Sequence, residues 1–201
     1  MTPRTYRMEK RRAAAEETRC RIVEATLALH SEKGMFDTSW KDIAERADVS
    51  VATVYKHFPS LDELVPACGA LIMAITDPPS LADAPKIFSD ARTIDDRLGR
   101  LVAEMFDFYE RAAPYLAVGP KERQLPAVQA WETGMRATRA GLAREALRPI
   151  GPDDRTVRAL SALLDFPVFS SFRRHDAARE EAEAIVREML LCWIGETRDA
   201  R

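Results

Sequence analysis

Three helix-start signals lie close together in this chain and leave little freedom for what stands between them. Ser39 precedes "WKDIAERA", with Asp42 three positions on, the spacing at which a carboxylate reaches back to the capping residue's amide. Ser50 precedes "VATVYKHF", which Pro59 must end, and Ser60 with Glu63 makes a further capping box ahead of Leu61. The "ADV" between the first two segments is long enough only for a turn. Upstream, "RCRIVEATLALHSEKG" sets Ile22, Val23, Leu27 and Leu29 at helical spacing and ends on Gly34, where a left-handed cap belongs. A long helix followed by two short ones on a tight turn is a helix-turn-helix.

In such a motif the second short helix enters the major groove and its first residues meet base edges. Val51, Ala52 and Lys56 are placed for bases: small apolar side chains suit a thymine methyl and a lysine suits guanine acceptors. Thr53, Tyr55 and His57 would donate to phosphates, which fixes register and carries no sequence information. Phe58 is expected to pack the bundle. Tyr55 is expected to divide its role, ring inward and hydroxyl outward.

Charge supports this reading only locally. The net charge is −2, but residues 1–60 hold 11 Lys and Arg against 9 Asp and Glu. Residues 1–15 read as a basic arm, in which Arg4, Arg7, Lys10, Arg11 and Arg12 face the single acid Glu9.

With 46% hydrophobic and 31% charged residues, the chain has the composition of a core-forming globular protein and not of a disordered one. No apolar run is expected to reach membrane-spanning length, and the first residues lack the apolar stretch of a signal peptide. Three dispersed cysteines, Cys20, Cys68 and Cys192, suit reduced thiols in a cytoplasm.

Beyond Leu64 the period stays helical. "DPPSLADAP", Asp77–Pro85, holds three prolines and reads as a loop. Thr93 caps an amphipathic helix running past Tyr109, and Pro126 opens another that stops at Pro149–Gly151. The last two helices, about 153–172 and 176–196, are apolar on more than one face, and Pro167 should kink the first. Pairing with a second copy would cover them, so Leu163, Leu164, Phe169, Ile185, Met189 and Trp193 are the expected interface.

Neither the three histidines nor the three cysteines have metal-ligand spacing, and the eight glycines form no phosphate-cradling loop, so no cofactor and no metal are expected. The paired acids Asp95–Asp96 and Asp153–Asp154 fall at helix starts and read as caps.

The ordered run from Arg21 to Leu64, with Gly34, Thr38-Ser39, "DIAERA", Val49-Ser50, Thr53, Tyr55 and His57-Phe58, resembles the N-terminal domain of the TetR family of one-component regulators. The resemblance implies an all-α dimer: a helix-turn-helix domain, here 16–64, and a ligand-binding and dimerisation domain, here 65–201. It also implies phosphate contacts from Ser39, Thr53, Tyr55 and His57, and a base or phosphate contact from Lys41; Ser50, as cap of the reading helix, completes the set. Three positions depart from the family's habit. Asp48 stands where Gly is usual in the turn, His30 where Phe is frequent, and Leu61 where a phosphate-binding Lys is frequent.

The expected partners are therefore a palindromic double-stranded operator, a second copy of the chain and a small-molecule effector, with no membrane. For the effector, adaptable methionines and large aromatics nominate Met73, Met105, Phe106, Tyr109, Trp131, Met135 and Phe166, a lining suited to an apolar or aromatic molecule. For any one of them core packing is the commoner role. Two other functions stay open at this point: a helix-turn-helix protein without an effector pocket, acting as an interaction module, and a small all-helical enzyme.

Overall fold

A computed structural model describes the backbone of residues 3–199 and the side chains of residues 6–195, and all regular structure within them is helical. The chain divides into two compact units, residues 1–75 with 118–128, and residues 76–117 with 129–201. The first unit thus takes in most of the helix that follows residue 60 and recruits a segment from the middle of the chain.

The first unit holds α1 (Pro3–Lys33), α2 (Trp40–Arg46), α3 (Val51–His57) and most of α4 (Leu61–Thr76). The basic segment is not an arm ahead of α1 but its first turns, and residues 6–17 are all exposed. Arg4 lies outside the described side chains. Seven-residue helices such as α2 and α3 are unstable alone, since a helix nucleus is costly. Caps and burial hold them. Ser39 and Asp42 form the reciprocal capping box, and the Ser50 hydroxyl accepts from the Thr53 amide. Ile22, Ile43, Val54, Phe58 and Leu64 make a common core, each worth about 1.5–3 kcal/mol when fully buried.

The turn between α2 and α3 is a Schellman motif. Asp48 takes a left-handed φ of 52°, while the Val49 amide reaches the Ala44 carbonyl at 3.0 Å. This is the position that favours Gly, and Asp tolerates it better than most residues. Gly34 caps α1 with φ 87°, its amide bonded to the His30 carbonyl.

The expectation that nothing approaches membrane length needs correction in composition but not in helix length. Leu61–Ile87 contains a window of mean hydropathy 1.3. However, α4 stops after 16 residues at Thr76, short of the roughly 20 a span requires, and Asp77-Pro78-Pro79 follows.

The second unit is built on α6 (Ile94–Leu116), with α5 (Ala84–Ile87), α7 (Pro126–Leu147), α8 (Asp154–Leu163), α9 (Phe166–Arg174) and α10 (Arg179–Asp199). Leu98, Leu101, Met105, Phe106 and Tyr109 of α6 are fully buried, together with Leu142 of α7, Leu160 of α8 and Leu190 of α10. Arg187 pairs with Asp95 and Arg179 with Asp107, tying α10 to α6 on their solvent side.

Two proline readings change. Pro85 does not merely interrupt: it sits in the first turn of α5, which follows a 3-10 turn at Leu81–Asp83. Pro167 does not kink one long helix. The chain breaks at Leu164–Asp165, Asp165 caps α9 by accepting the Phe166 amide, and Pro167 stands in the new first turn.

Candidate nucleic-acid interface

Residues at positions 51, 52, 55 and 56 of α3 share one face by helical spacing, and that face is the solvated one. Val51 is 37% exposed and Tyr55 46%, while Ala52 and Lys56 are exposed beside them. The opposite face carries Val54, fully buried, and continues into Phe58, also fully buried. α3 is thereby clamped by its inner residues and free to present its outer ones.

Neighbouring elements fix the orientation of this face. The Tyr55 ring lies 4.9 Å from that of Trp40 on α2, so the ring is packed while the residue stays open to solvent. Arg19 of α1 donates to the His57 carbonyl at 3.2 Å and stacks over Phe58 at 4.1 Å, holding the end of α3. Ser39 and Ser50 are committed to caps: Ser50 Oγ receives the Thr53 amide at 3.1 Å and shares a hydrogen bond with Thr53 Oγ1 at 2.8 Å. Lys33 pairs with Asp42 at 2.8 Å, and Arg46 grips Glu32 with two bonds. Lys41 lies loosely by Glu45 at 3.7 Å, both mostly solvated. Lys56 makes no ion pair among the described residues, which leaves its charge available. His57 is half-buried.

The segment 118–128 reaches the far end of α1. Glu122 accepts the Met35 amide at 2.7 Å with one oxygen and the Gly119 amide at 2.6 Å with the other. Burial of the His30 ring lowers its pKa to about 4, an effect the nearby Glu122 charge opposes.

In the second unit, six of the seven residues named for an effector pocket come together as packed core. Met105, Phe106, Tyr109 and Met135 are buried, and Trp131 and Phe166 are half-buried against them. Phe106 meets Phe169 edge-on at 5.2 Å, and Tyr109 meets Phe166 at 5.5 Å. Met73 belongs to the first unit and is 40% exposed. Two clefts open elsewhere in the second unit, and none of the seven lines either. One, of about 490 Å³, lies among Asp77, Lys86, Arg100, Asp107 and Arg179; the other, of about 480 Å³, among Leu81, Phe88, Arg97 and Arg148.

Of the six interface residues, Leu164 and Phe169 are corrected to core, at 0% and 2% exposed. The α8–α9 break turns both inward. Leu163, Ile185 and Trp193 are half-buried, and Met189 is 51% exposed.

Comparison with known proteins bears on this arrangement. The family described as bacterial regulatory proteins, tetR family, matches residues 22–68, which include α2, α3 and the start of α4. Its helix-turn-helix segment is thus that of a TetR-family DNA-binding domain. Within it, 47 residues are 51% identical to the HTH-type transcriptional repressor KstR of Rhodococcus jostii, covering 23% of this chain and 22% of that one. The match therefore spans less than a quarter of that relative's length. The HTH-type transcriptional regulator UidR of Escherichia coli K12 is 24% identical over 185 residues, 88% of this chain and 92% of its own. Among solved structures, the ketosteroid transcriptional regulator KstR2 of Mycobacterium tuberculosis shares the fold, with a TM-score of 0.54, 18% identity, and coverage of 89% of this chain and 93% of that one.

Three residues that position these elements escaped the sequence reading. Trp40 and Arg19 position α3, yet an aromatic at the first turn of a short helix and an arginine within an exposed helical run look ordinary. Glu122 lies 87 residues from Met35, and no local pattern links them.

Proposed function

We propose that this protein is a ligand-responsive transcriptional repressor that binds a palindromic operator as a homodimer in the cytoplasm and is released by a small apolar or aromatic effector. The observation that carries the reading is the outer face of α3, where Val51, Ala52, Tyr55 and Lys56 stand exposed on a helix anchored by buried Val54 and Phe58. Lys56 would read a base, Tyr55 and His57 would hold phosphates, and Ser39, Lys41 and Thr53 would contribute at the groove walls. The family and the repressor name of KstR support the sign of regulation.

Leu163, Ile185, Met189 and Trp193 support assembly, because they leave an apolar strip on α8 and α10 that a second copy would cover. The two reading helices of the dimer would then meet half-sites roughly 34–36 Å apart, one turn of DNA. An effector would act by favouring a state whose heads no longer match the operator, by no more than its differential affinity for the two states.

Selection of bound duplexes from a random library tests this directly. A two-fold symmetric consensus is expected. Lys56→Ala should relax preference at one position per half-site, a loss of about 1–3 kcal/mol in discrimination. Tyr55→Phe should weaken all sequences alike. An asymmetric or absent consensus would refute operator binding by a dimer, and a uniform loss in Lys56→Ala would refute base reading by Lys56.

A further inference from the structure

Arg139 on α7 is the one charged side chain among the described buried residues, at 8% exposed. Its Nη1 lies 2.9 Å from Asp165 Oδ1 and 3.4 Å from the Tyr109 hydroxyl, while its Nε is buried and has no hydrogen-bond partner. Desolvating a guanidinium is costly, and leaving one of its donors unmet adds to that. The pair is also lopsided. The Arg139 side chain is 10% exposed and the Asp165 side chain 43%, so the cation sits inside and its counter-charge at the rim.

The surroundings are apolar and aromatic. Met135 lies one turn before Arg139 on α7 and is buried. The Tyr109 ring, whose hydroxyl donates to the Leu164 carbonyl at 2.8 Å, is flanked by Phe166 and Phe169 at 5.5 and 5.9 Å. All of this converges on the joint between α8 and α9, where Asp165 Oδ1 serves two partners at once: Arg139 and the Phe166 amide at 2.9 Å.

We infer that Arg139 anchors the anionic head of the effector, a carboxylate carried on an apolar or aromatic body, in a site whose anionic place the Asp165 carboxylate holds. The inference rests on the effector reading given above and names the effector's chemical class. A guanidinium presents a planar fork of donors that a carboxylate matches with two parallel bonds, and the Nε now unmet would form one of them. Asp165, already near solvent, can turn outward when displaced. That movement withdraws the cap from α9 and shifts the α8–α9 joint, which gives binding a structural consequence within this unit. No bond is made or broken covalently.

The purely structural alternative is that the pair only ties α7 to that joint, and Asp165→Asn separates the two. Asn remains a good N-cap, so α9 keeps its start, while the internal competitor for Arg139 loses its charge. Binding of octanoate, 4-phenylbutanoate and 2-naphthoate, each beside its methyl ester, is measured on the full chain by calorimetry and thermal shift. The acids should bind about tenfold or more tighter than their esters. Asp165→Asn should tighten the acids severalfold and leave the esters unchanged, and Arg139→Gln should erase the preference. Should Arg139→Gln fail to fold, Asp165→Asn alone decides. Equal affinity of acids and esters, no acid binding at millimolar concentration, or an unchanged acid affinity in Asp165→Asn would each overturn the inference. Operator release measured on the same samples keeps the two readings apart. Acids that bind through Arg139 without releasing DNA sustain the anchor and sink the release mechanism, whereas release by esters independent of Arg139 sinks the anchor alone.

Discussion

His30 gives the first unit a calculable response to acid. Burial lowers its pKa from 6.5 to about 4, with the Glu122 charge pulling the other way, so the ring is neutral in the fold at pH 7. Its folded value lies below its unfolded one, and between about pH 6.5 and 4 the unfolded chain binds more protons. Stability is therefore complete above about pH 6.5, declines as pH falls towards 4, and is level below. A shift of that size at 1.36 kcal/mol per pH unit sets a ceiling of about 3 kcal/mol; because the ring is only half-buried, screening reduces this to about 1–2 kcal/mol. His30→Phe, the residue frequent at this position in the family, removes the titration. Urea denaturation of both proteins from pH 7.5 to 4.5 isolates it, since carboxylates held low by their partners, such as Asp42 beside Lys33, titrate alike in both and cancel. The stability difference should shift by about 1–2 kcal/mol in favour of the variant as the pH drops. A pH-independent difference would mean that the Glu122 charge cancels burial, and a shift of the opposite sign that it outweighs burial; either result refutes the reasoning. Glu122→Gln should steepen the wild-type decline, because it removes the one influence that favours the charged ring.

Other perturbations have equally definite outcomes. Asp48→Gly relieves a left-handed φ of 52° and should change stability by about 0 to +1 kcal/mol, because the released strain is partly offset by chain entropy, whereas Asp48→Val should lower it by more than 1 kcal/mol in a thermal melt. Phe106→Ala empties a fully buried site and should cost about 3–5 kcal/mol; Trp131→Ala, half-buried, should cost visibly less, and a reversed order would refute the packing described. Ile185→Asp with Met189→Asp should yield monomers in sedimentation while leaving the total helix content unchanged by circular dichroism, and persistence of a dimer would move the interface elsewhere.

What the sequence made legible was what its local chemistry determines. Ser39, Ser50 and Thr93 announce their helices because a cap needs only its own hydroxyl and an amide three residues on. Asp48 was legible only through the resemblance, which sets Gly at that turn position, and its left-handed φ of 52° accounts for the habit. Pro167 was misread although its signal is also local: Asp165 two residues before a proline starts a helix rather than bending one. Leu164 and Phe169 show a different limit. Periodicity reveals that a helix has two apolar faces but not which one its own unit will cover. Glu122 and Arg139 were illegible outright, since a single acid or base means nothing until partners 87 and 30 residues away are brought beside it.

The return of residues 118–128 to the first unit has a consequence for how the chain is made. A protein emerges from the ribosome N-terminus first, and domains generally fold in that order. Here the helix-turn-helix head comes first in sequence yet stays incomplete until α6 has been synthesised and Glu122 can reach the Met35 amide. A nascent or truncated chain ending at Ile75 leaves that amide and the adjoining end of α1 without their partner. Excision of this head as a free-standing module, for display or for fusion to another effector domain, therefore calls for the 118–128 segment to be grafted back on.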